Sequence, residues 1–365
     1  MSDRSRARRE RLSTLVLGAD DLVELVDRTG RDRLMDLMIE RLRRRFDEHD
    51  PSTVLARKRD GFRYDKPALG LVEWMPTHEL GGPVVVKMVG YHPTNPSQRA
   101  LPSVIATTSM WDSESGHLVA LADATLLTAV RTGAASAIAT DVLAVDRPIR
   151  LGIVGLGAQA VTQLHAISRV RSISSVVAID SDDDIARTFA DRVAFTGIDI
   201  ETAPPERADT IVGEVDVLCT CTSVDIGAGP VVGDTAPTPW LHVNAVGADF
   251  PGKLELPASL VEQAFVVPDV AEQCLVEGEC QQVPALRHGP EIPDVVRHAD
   301  RHAARRSELT VFDSTGWSVE DDVALRLAVE LAGDYNLGTE FVIECLPPDP
   351  YDPYSSADSD HARDR

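Results

Sequence analysis

Through residues 1–50 apolar positions recur every three or four residues. DDLVELVDRTGRDRLMDLMIERLRRRF therefore predicts a helical segment, broken into two helices at Gly30. Between 51 and 130 the period shortens to two. LGLVEWMP, GPVVVKMVGYHP, PSVIATTSMWD and GHLVALAD are strand-like runs separated by Gly, Pro, Asn and Asp, which predicts a meandering sheet. LLTAVRTGAASAIATDVLA (126–144) is Ala-rich and helical. From 150 to 313, the strand-like runs LGIVG, SSVVAID, VDVLCT, WLHVNAVG, AFVVPD and LTVFDS have amphipathic segments between several of them, the signature of a parallel α/β sheet. VEDDVALRLAVELAG (319–333) is a helix patterned to pack back onto the first part of the chain. The tail from 351 to 365 is rich in Pro, Asp and Ser and is expected to be disordered. The fold class is α/β: a Rossmann-type parallel-sheet domain (133–319) inserted into an α+β domain made of 1–132 and 320–350.

A chain of 365 residues has room for two cores, and 43% hydrophobic with 26% charged residues is ordinary globular composition. No run of about eighteen apolar residues predicts a membrane span. The N-terminus MSDRSRARRERL is basic but lacks the apolar stretch of a secretory signal, so a cytoplasmic protein is expected. A net charge of −22 argues against nucleic acid as a partner. The basic runs Arg4–Arg11 and Arg41–Arg45 read as a solvated tail and the outer face of a helix. Cys219, Cys221, Cys274, Cys280 and Cys345 have neither zinc nor disulfide spacing and read as reduced thiols; no metal is expected.

LGIVGLGAQAVTQLHA (151–166) carries the chemistry. A buried-type strand stops at Gly155, Gly157 follows, Ala160 takes the third small position, and a helix begins. A second strand ends at Asp180. That is the dinucleotide fingerprint: a tight turn, close backbone approach to a pyrophosphate, and N–H groups at a helix N-terminus that favour anions. Asp180 is placed to accept from the ribose hydroxyls. Ser181, Asp182, Asp183 and Asp184 follow with no arginine, so NAD(H) is favoured over NADP(H).

RTGAASAIAT (131–140) followed by GLGAQAVTQLHA (155–166) resembles the ornithine cyclodeaminase/μ-crystallin family. The resemblance continues in VKMVGYHPTN (86–95), NAVGADFPGKLEL (244–256), VEGECQQVP (276–284) and FDSTG (312–316), and covers roughly residues 50–340. It implies NAD as cofactor, a small amino-acid substrate and a homodimer formed through the antiparallel sheet, with the active site in the cleft between the domains. It also implies a reaction in which the α-amine is oxidised, the distal amine attacks the imine, ammonia leaves, and the same NADH reduces the ring. By motif, Asp249 resembles the catalytic carboxylate. Lys87 and Arg131 resemble the holders of the substrate carboxylate. A cation in a Val-rich strand, or in an Ala-rich helix, is costly unless it meets an anion, and the arginine fork suits a carboxylate. The third clamp residue is one of Arg57, Arg59 and Arg63, with Arg59 preferred because RDGF resembles lysine-type members. Glu73 resembles a carboxylate close to the substrate. Ala158, Gln159, Asp180, Thr222, Asn244, Ala245, Val246, Gly247, Lys253 and Ser314 match nucleotide contacts, with Ser103 where a threonine is usual and Arg131 serving both sides. Thr315 replaces a valine near the substrate side chain, a trait of lysine-type members. The resemblance puts L-ornithine to L-proline first, with L-lysine to L-pipecolate as the alternative. An imine reductase, an amino-acid dehydrogenase and a binding protein without turnover are the remaining readings.

Overall fold

A computed structural model describes residues 12–283 and 288–355, and the strands fall into two sheets. The first contains β1 (Thr14–Leu17), β2 (Val54–Ala56), β3 (Asp60–Tyr64), β4 (Gly70–Glu79), β5 (Val84–Tyr91), β6 (Val104–Trp111) and β7 (Leu118–Asp123). The second contains β8 (Ile149–Val154), β9 (Ile173–Ile179), β10 (Ile200–Ala203), β11 (Val217–Thr220), β12 (His242–Ala245), β13 (Phe265–Pro268) and β14 (Thr310–Asp313). A final strand, β15 (Thr339–Phe341), returns to the first sheet and pairs antiparallel with β1.

The four central strands of the first sheet, β4 to β7, pair antiparallel in sequence order, as the period of two predicts. Alternation places Glu73, Met75, Val85 and Lys87 among the buried positions of β4 and β5 and leaves Met88 exposed. Lys87 is thus a buried cation by register, opposite Met75.

The second sheet is wholly parallel, in the order β10-β9-β8-β11-β12-β14-β13. The chain runs outward from β8 in one direction and then restarts beside it at β11. That reversal opens a crevice at the carboxyl ends of β8 and β11, where such sheets bind ligands. Every residue of β11, β12 and β14 is buried, the mark of strands covered on both faces.

The helix Thr125–Leu143 lies between the sheets and is long and apolar enough to cross a membrane. The apolar-run criterion overlooked it because Thr, Ser, Gly and Arg131 interrupt its sequence. Its environment is protein: one cluster of buried side chains joins Met38 and Phe46 to Val85, Val130, Ile138, Val267, Phe312 and Leu325. The helix Ser318–Tyr335 packs into the same cluster, as its pattern predicts.

Five short strands were not anticipated: β1, β2, β3, β10 and β15. Residues 14–17 form a strand instead of extending the first helical segment, because β7 and β15 supply its hydrogen-bond partners. Among the described residues β10 pairs only with β9, and β15 only with β1, so neither has a long pattern of its own. The helices Ala19–Thr29 and Arg31–Asp47 do meet at Gly30. The cluster Arg41–Arg45 is less solvated than expected: Arg41 pairs with Glu330 (2.6 Å), Arg43 with Asp141 (2.7 Å) and Arg45 with Glu79 (3.1 Å). Arg4–Arg11 and residues 356–365 lie outside the described residues. Before that, at the start of the expected disordered tail, Asp349 and Asp352 cap turns at Tyr351 and Tyr354 (2.9 Å each). The five cysteines are free thiols.

Candidate active site

Three buried cations from three separate elements meet between the sheets. Lys87 comes from β5, Arg131 from the helix Thr125–Leu143, and Arg59 from the segment between β2 and β3. Lys87 Nζ lies 2.9 Å from Asp321 Oδ1, and Arg131 Nε donates to the same oxygen at 3.1 Å. Arg131 Nη1 donates to Glu320 Oε2 at 2.6 Å. Gly316 joins Arg131 to Arg59. Its φ is +90°, a β-carbon there would stand 2.9 Å from Arg131 Nη2, and its carbonyl accepts from Arg59 Nη2 at 3.2 Å. Arg59 also donates to the Thr315 carbonyl.

Two more carboxylates face Arg59. Glu73 Oε2 lies 3.6 Å from Nη1, and Glu277 Oε2 lies 3.1 Å from Nε without hydrogen-bond alignment. Arg57 and Arg63 are exposed, and Arg63 stacks on Phe250 at 5.1 Å. Burial raises the pKa of Glu73, against the pull of Arg59. Burial likewise raises that of Glu277, again opposed by Arg59. The charge of Asp249 adds to both rises. Burial lowers Lys87 to about 8 despite Asp321. Among the described residues, Arg59 Nε, Glu277 Oε2 and Glu320 Oε1 are buried without a hydrogen-bond partner. Arg59 Nε and Glu277 Oε2 face each other in their ion pair, and Glu320 Oε1 is left as an open buried acceptor.

Glu277, Glu320 and Asp321 were missed by sequence reasoning. The available signal was VEDD at the start of an apolar helix and a glutamate in VEGECQQ. Local sequence says nothing about which cations they face. Glu320 and Asp321 sit in the first helical turn, where the helix dipole favours negative charge.

Asp249 follows β12 and reaches solvent, its side chain 39% exposed; Lys253 Nζ holds Oδ1 at 2.6 Å. Thr315 is fully engaged: its hydroxyl accepts from Gln273 Nε2 (2.6 Å) and donates to Asp269 Oδ1 (3.2 Å).

The predicted nucleotide residues gather at the crevice of the parallel sheet. Gly155 has φ +88°, and a β-carbon there would strike the Cys221 backbone at 2.9 Å. Gly157 caps the helix Ala158–Val170 without a side-chain hydrogen bond, and both Gly157 and Ala158 are exposed. Open N–H groups and open space at this helix start fit a pyrophosphate. Gln159 stands on the first turn, and its Oε1 accepts from the Thr162 hydroxyl at 3.3 Å. Asp180 Oδ2 accepts from Leu156 N (2.6 Å) and Oδ1 from Asp182 N (2.9 Å), so its carboxylate is held at the turn. The expectation of no arginine nearby is corrected: the helix Asp183–Val193 brings Arg192 back, donating to Leu156 O (2.7 Å) and Ile185 O (2.9 Å). Asn244 donates to Thr140 (2.9 Å), Val246 N to Thr220 O (3.0 Å), and Ser314 N to Ala245 O (3.0 Å). Among the described residues no hydrogen bond joins Ser103 to another predicted site residue; its carbonyl accepts from His92 N at 2.8 Å.

The buried carboxylates make stability depend on pH. Burial raises Glu320 from 4.5 to about 7 and Asp313 from 3.8 to about 6. Each binds its proton more tightly folded than unfolded. Their contribution is therefore full below the unfolded pKa and is lost as pH rises through the folded one. Melting temperature is expected to fall between about pH 4 and pH 7 through this pair. Thermal melts of wild type and Glu320→Gln across that range check it: the variant is expected to fall less steeply, and parallel curves refute the assignment.

The model of the ornithine cyclodeaminase/mu-crystallin family matches residues 20–335. An L-lysine cyclodeaminase from Streptomyces rapamycinicus is 40% identical over 94% of this chain and 100% of its own length. An ornithine cyclodeaminase from Agrobacterium tumefaciens is 31% identical, over 78% of this chain and 79% of its own. A solved lysine cyclodeaminase, studied for recognition of L-lysine, L-ornithine and L-2,4-diaminobutyric acid, superposes with a TM-score of 0.90 at 44% identity, covering 94% and 99% of the two chains. An archaeal alanine dehydrogenase dimer with bound NAD superposes at 0.78 with 30% identity, covering 90% and 99%. With the parallel-sheet crevice and the cation cluster both in place, the chain belongs to the ornithine cyclodeaminase/mu-crystallin family.

Proposed function

We propose that the chain is an NAD-dependent cyclodeaminase of α,ω-diamino acids that releases ammonia and forms a cyclic imino acid. The observation that carries this reading is the meeting of Arg59, Lys87 and Arg131 between the two sheets, with Glu73 and Glu277 facing Arg59, beside a dinucleotide crevice. The parts match the substrate. A diamino acid presents one carboxylate and two ammonium groups, and the site offers three cations, two of them already paired with Glu320 and Asp321, and the further carboxylates Glu73, Glu277 and Asp249.

Arg59, Lys87 and Arg131 bind and orient the α-carboxylate. Asp321 and Glu320 hold the last two in register before substrate arrives. Asp249, the exposed carboxylate, takes the proton of the α-ammonium. The distal amine must be neutral to attack. Glu73 and Glu277, with pKa values raised by burial, are suited to hold that ammonium and then accept its proton. Gly155, Gly157–Gln159, Asp180, Thr222, Asn244–Gly247, Lys253 and Ser314 would hold NAD, which would supply reversible hydride acceptance with no net redox change.

The substrate assignment moves from ornithine to lysine. The lysine cyclodeaminase matches nearly the whole chain, whereas the ornithine enzyme matches 78% of it. One methylene is worth only about 1–3 kcal/mol of discrimination, so ornithine is expected to turn over more slowly instead of being excluded. The reading takes residues 1–132 and 320–350 as one domain and 133–319 as the other, with the site in the cleft between them. The antiparallel sheet, exposing Met88, Ile105 and Trp111, is the face assigned to a homodimer.

The test is incubation of the protein with catalytic NAD and either L-lysine or L-ornithine, following ammonia, cyclic product and NADH absorbance together. Pipecolate and ammonia in equal amounts, without net NADH, are expected. NADH accumulating with product would make the protein a dehydrogenase instead.

A further inference from the structure

Three carboxylates at the carboxyl edge of the parallel sheet are fully buried and take no part in the cation cluster: Glu255, Glu279 and Asp313. Among the described residues their hydrogen bonds come from N–H, O–H and amide donors, not from a cation. Glu255 Oε1 accepts from both the amide and the hydroxyl of Thr222, at 2.7 Å each. Its Oε2 accepts from Gly247 N at 2.8 Å. Thr222 follows β11, and Gly247 begins the loop after β12 that carries Asp249. The carboxylate approaches so closely that a β-carbon on Gly247 would stand 2.4 Å from Oε1.

Glu255 is itself held. Its amide donates to Glu279 Oε1 at 2.7 Å, and Leu256 N donates to Oε2 at 3.2 Å. Glu279 N and Cys280 N donate in turn to the two oxygens of Asp313, at 2.9 and 3.0 Å, at the end of β14. The carboxylates thus form a relay across the ends of β11, β12 and β14. These ends bear the predicted nucleotide residues Thr222, Asn244–Gly247 and Ser314.

We propose that Glu255 is a positioning residue for the dinucleotide, bracing the loop after β11 against the Asp249 loop, with Glu279 and Asp313 anchoring the brace to β14. The proposal rests on the NAD-binding reading above. The chemistry requires an acceptor with two oxygens. Three donors converge on one group, and glutamine would turn an NH2 toward either the Thr222 or the Gly247 N–H. A buried N–H left facing another donor loses its bond and displaces its loop.

The test compares the full chain with Glu255→Gln, Glu279→Gln and Asp216→Asn, by thermal melts and by fluorescence titration with NADH. Asp216 is the control. It is buried just before β11, at the opposite end of that strand, and accepts from Arg147, Arg150 and Trp240. Its loss is expected to lower stability and leave NADH affinity within about twofold of wild type. Glu255→Gln is expected to bind NADH at least about tenfold more weakly, and Glu279→Gln to shift in the same direction by less. NADH affinity at the wild-type level in Glu255→Gln overturns the proposal. So does an equal loss in Asp216→Asn, which would make the effect one of general stability. Should Glu255→Gln fail to fold, Glu279→Gln decides, and unchanged affinity there overturns the brace. Wild-type protein that does not bind NADH would overturn the cofactor reading itself, before any variant is compared.

Discussion

Asp249→Asn is expected to lower the turnover of L-lysine by roughly a thousandfold while NADH binds as in wild type. Asparagine keeps the shape and the acceptor oxygen, so Lys253 retains a partner where Oδ1 now lies at 2.6 Å. What disappears is the ability to take a proton from the α-ammonium. Without that step the amine has no free electron pair, and oxidation at the α-carbon stops. The fold is expected to lose some stability, because Lys253 is buried, its side chain 6% exposed against 39% for Asp249, and exchanges a charged acceptor for a neutral one. Turnover and NADH fluorescence, measured on one preparation, separate catalysis from binding. Turnover above a tenth of the wild-type rate would remove Asp249 from the proton path.

Replacing Arg131 is expected to act on both stability and substrate binding. Arg131→Leu leaves Glu320 and Asp321 buried without the guanidinium that joins them. Breaking a buried pair by removing one partner typically costs about 3–5 kcal/mol. A lower melting temperature should result, together with loss of activity. The double variant Arg131→Leu, Glu320→Gln removes one stranded charge and is expected to recover part of the melting temperature. That recovery measures the coupling between the two residues. Arg131→Lys keeps the charge and loses the fork. It should remain folded, with KM for lysine raised by an order of magnitude or more, since a lysine cannot offer two parallel bonds to a carboxylate. Additive melting-temperature changes in the double variant would show that Arg131 and Glu320 are not coupled, and an unchanged KM in Arg131→Lys would show that Arg131 is not the clamp.

Much of the site was legible before the fold was known, for reasons that differ by residue. Lys87 stood out because it interrupts a run of valines, and the period of two assigns it to the buried face. Gly155, Gly157 and Asp180 stood out because the turn, the helix and the second strand follow one another directly. The choice of Arg59 over its neighbours rested on a short likeness, RDGF; in the fold Arg59 is buried while Arg57 and Arg63 are exposed. Glu277, Glu320, Asp321 and Glu255 gave no comparable sign. Acidic residues at a helix start or in a loop are common, and their meaning depends on what faces them. Arg192 was hidden for the same reason: it enters the vicinity of Asp180 through a helix turn, not through adjacency.

The sequence by itself determined the period of each segment, and with it the antiparallel and parallel sheets, the dinucleotide turn and the presence of buried cations. Those follow from local geometry, since side chains repeat every two residues in a strand and every 3.6 in a helix. Tertiary structure alone decided which carboxylates neutralise those cations. Asp321 meets Lys87 across 234 positions of sequence and Arg131 across 190. It decided equally the contacts among Glu255, Glu279 and Asp313, and the short strands β1, β2, β3, β10 and β15. Hydrogen bonds and ion pairs form only between groups a few ångströms apart, and for groups far apart in the chain that distance is set by the folded path.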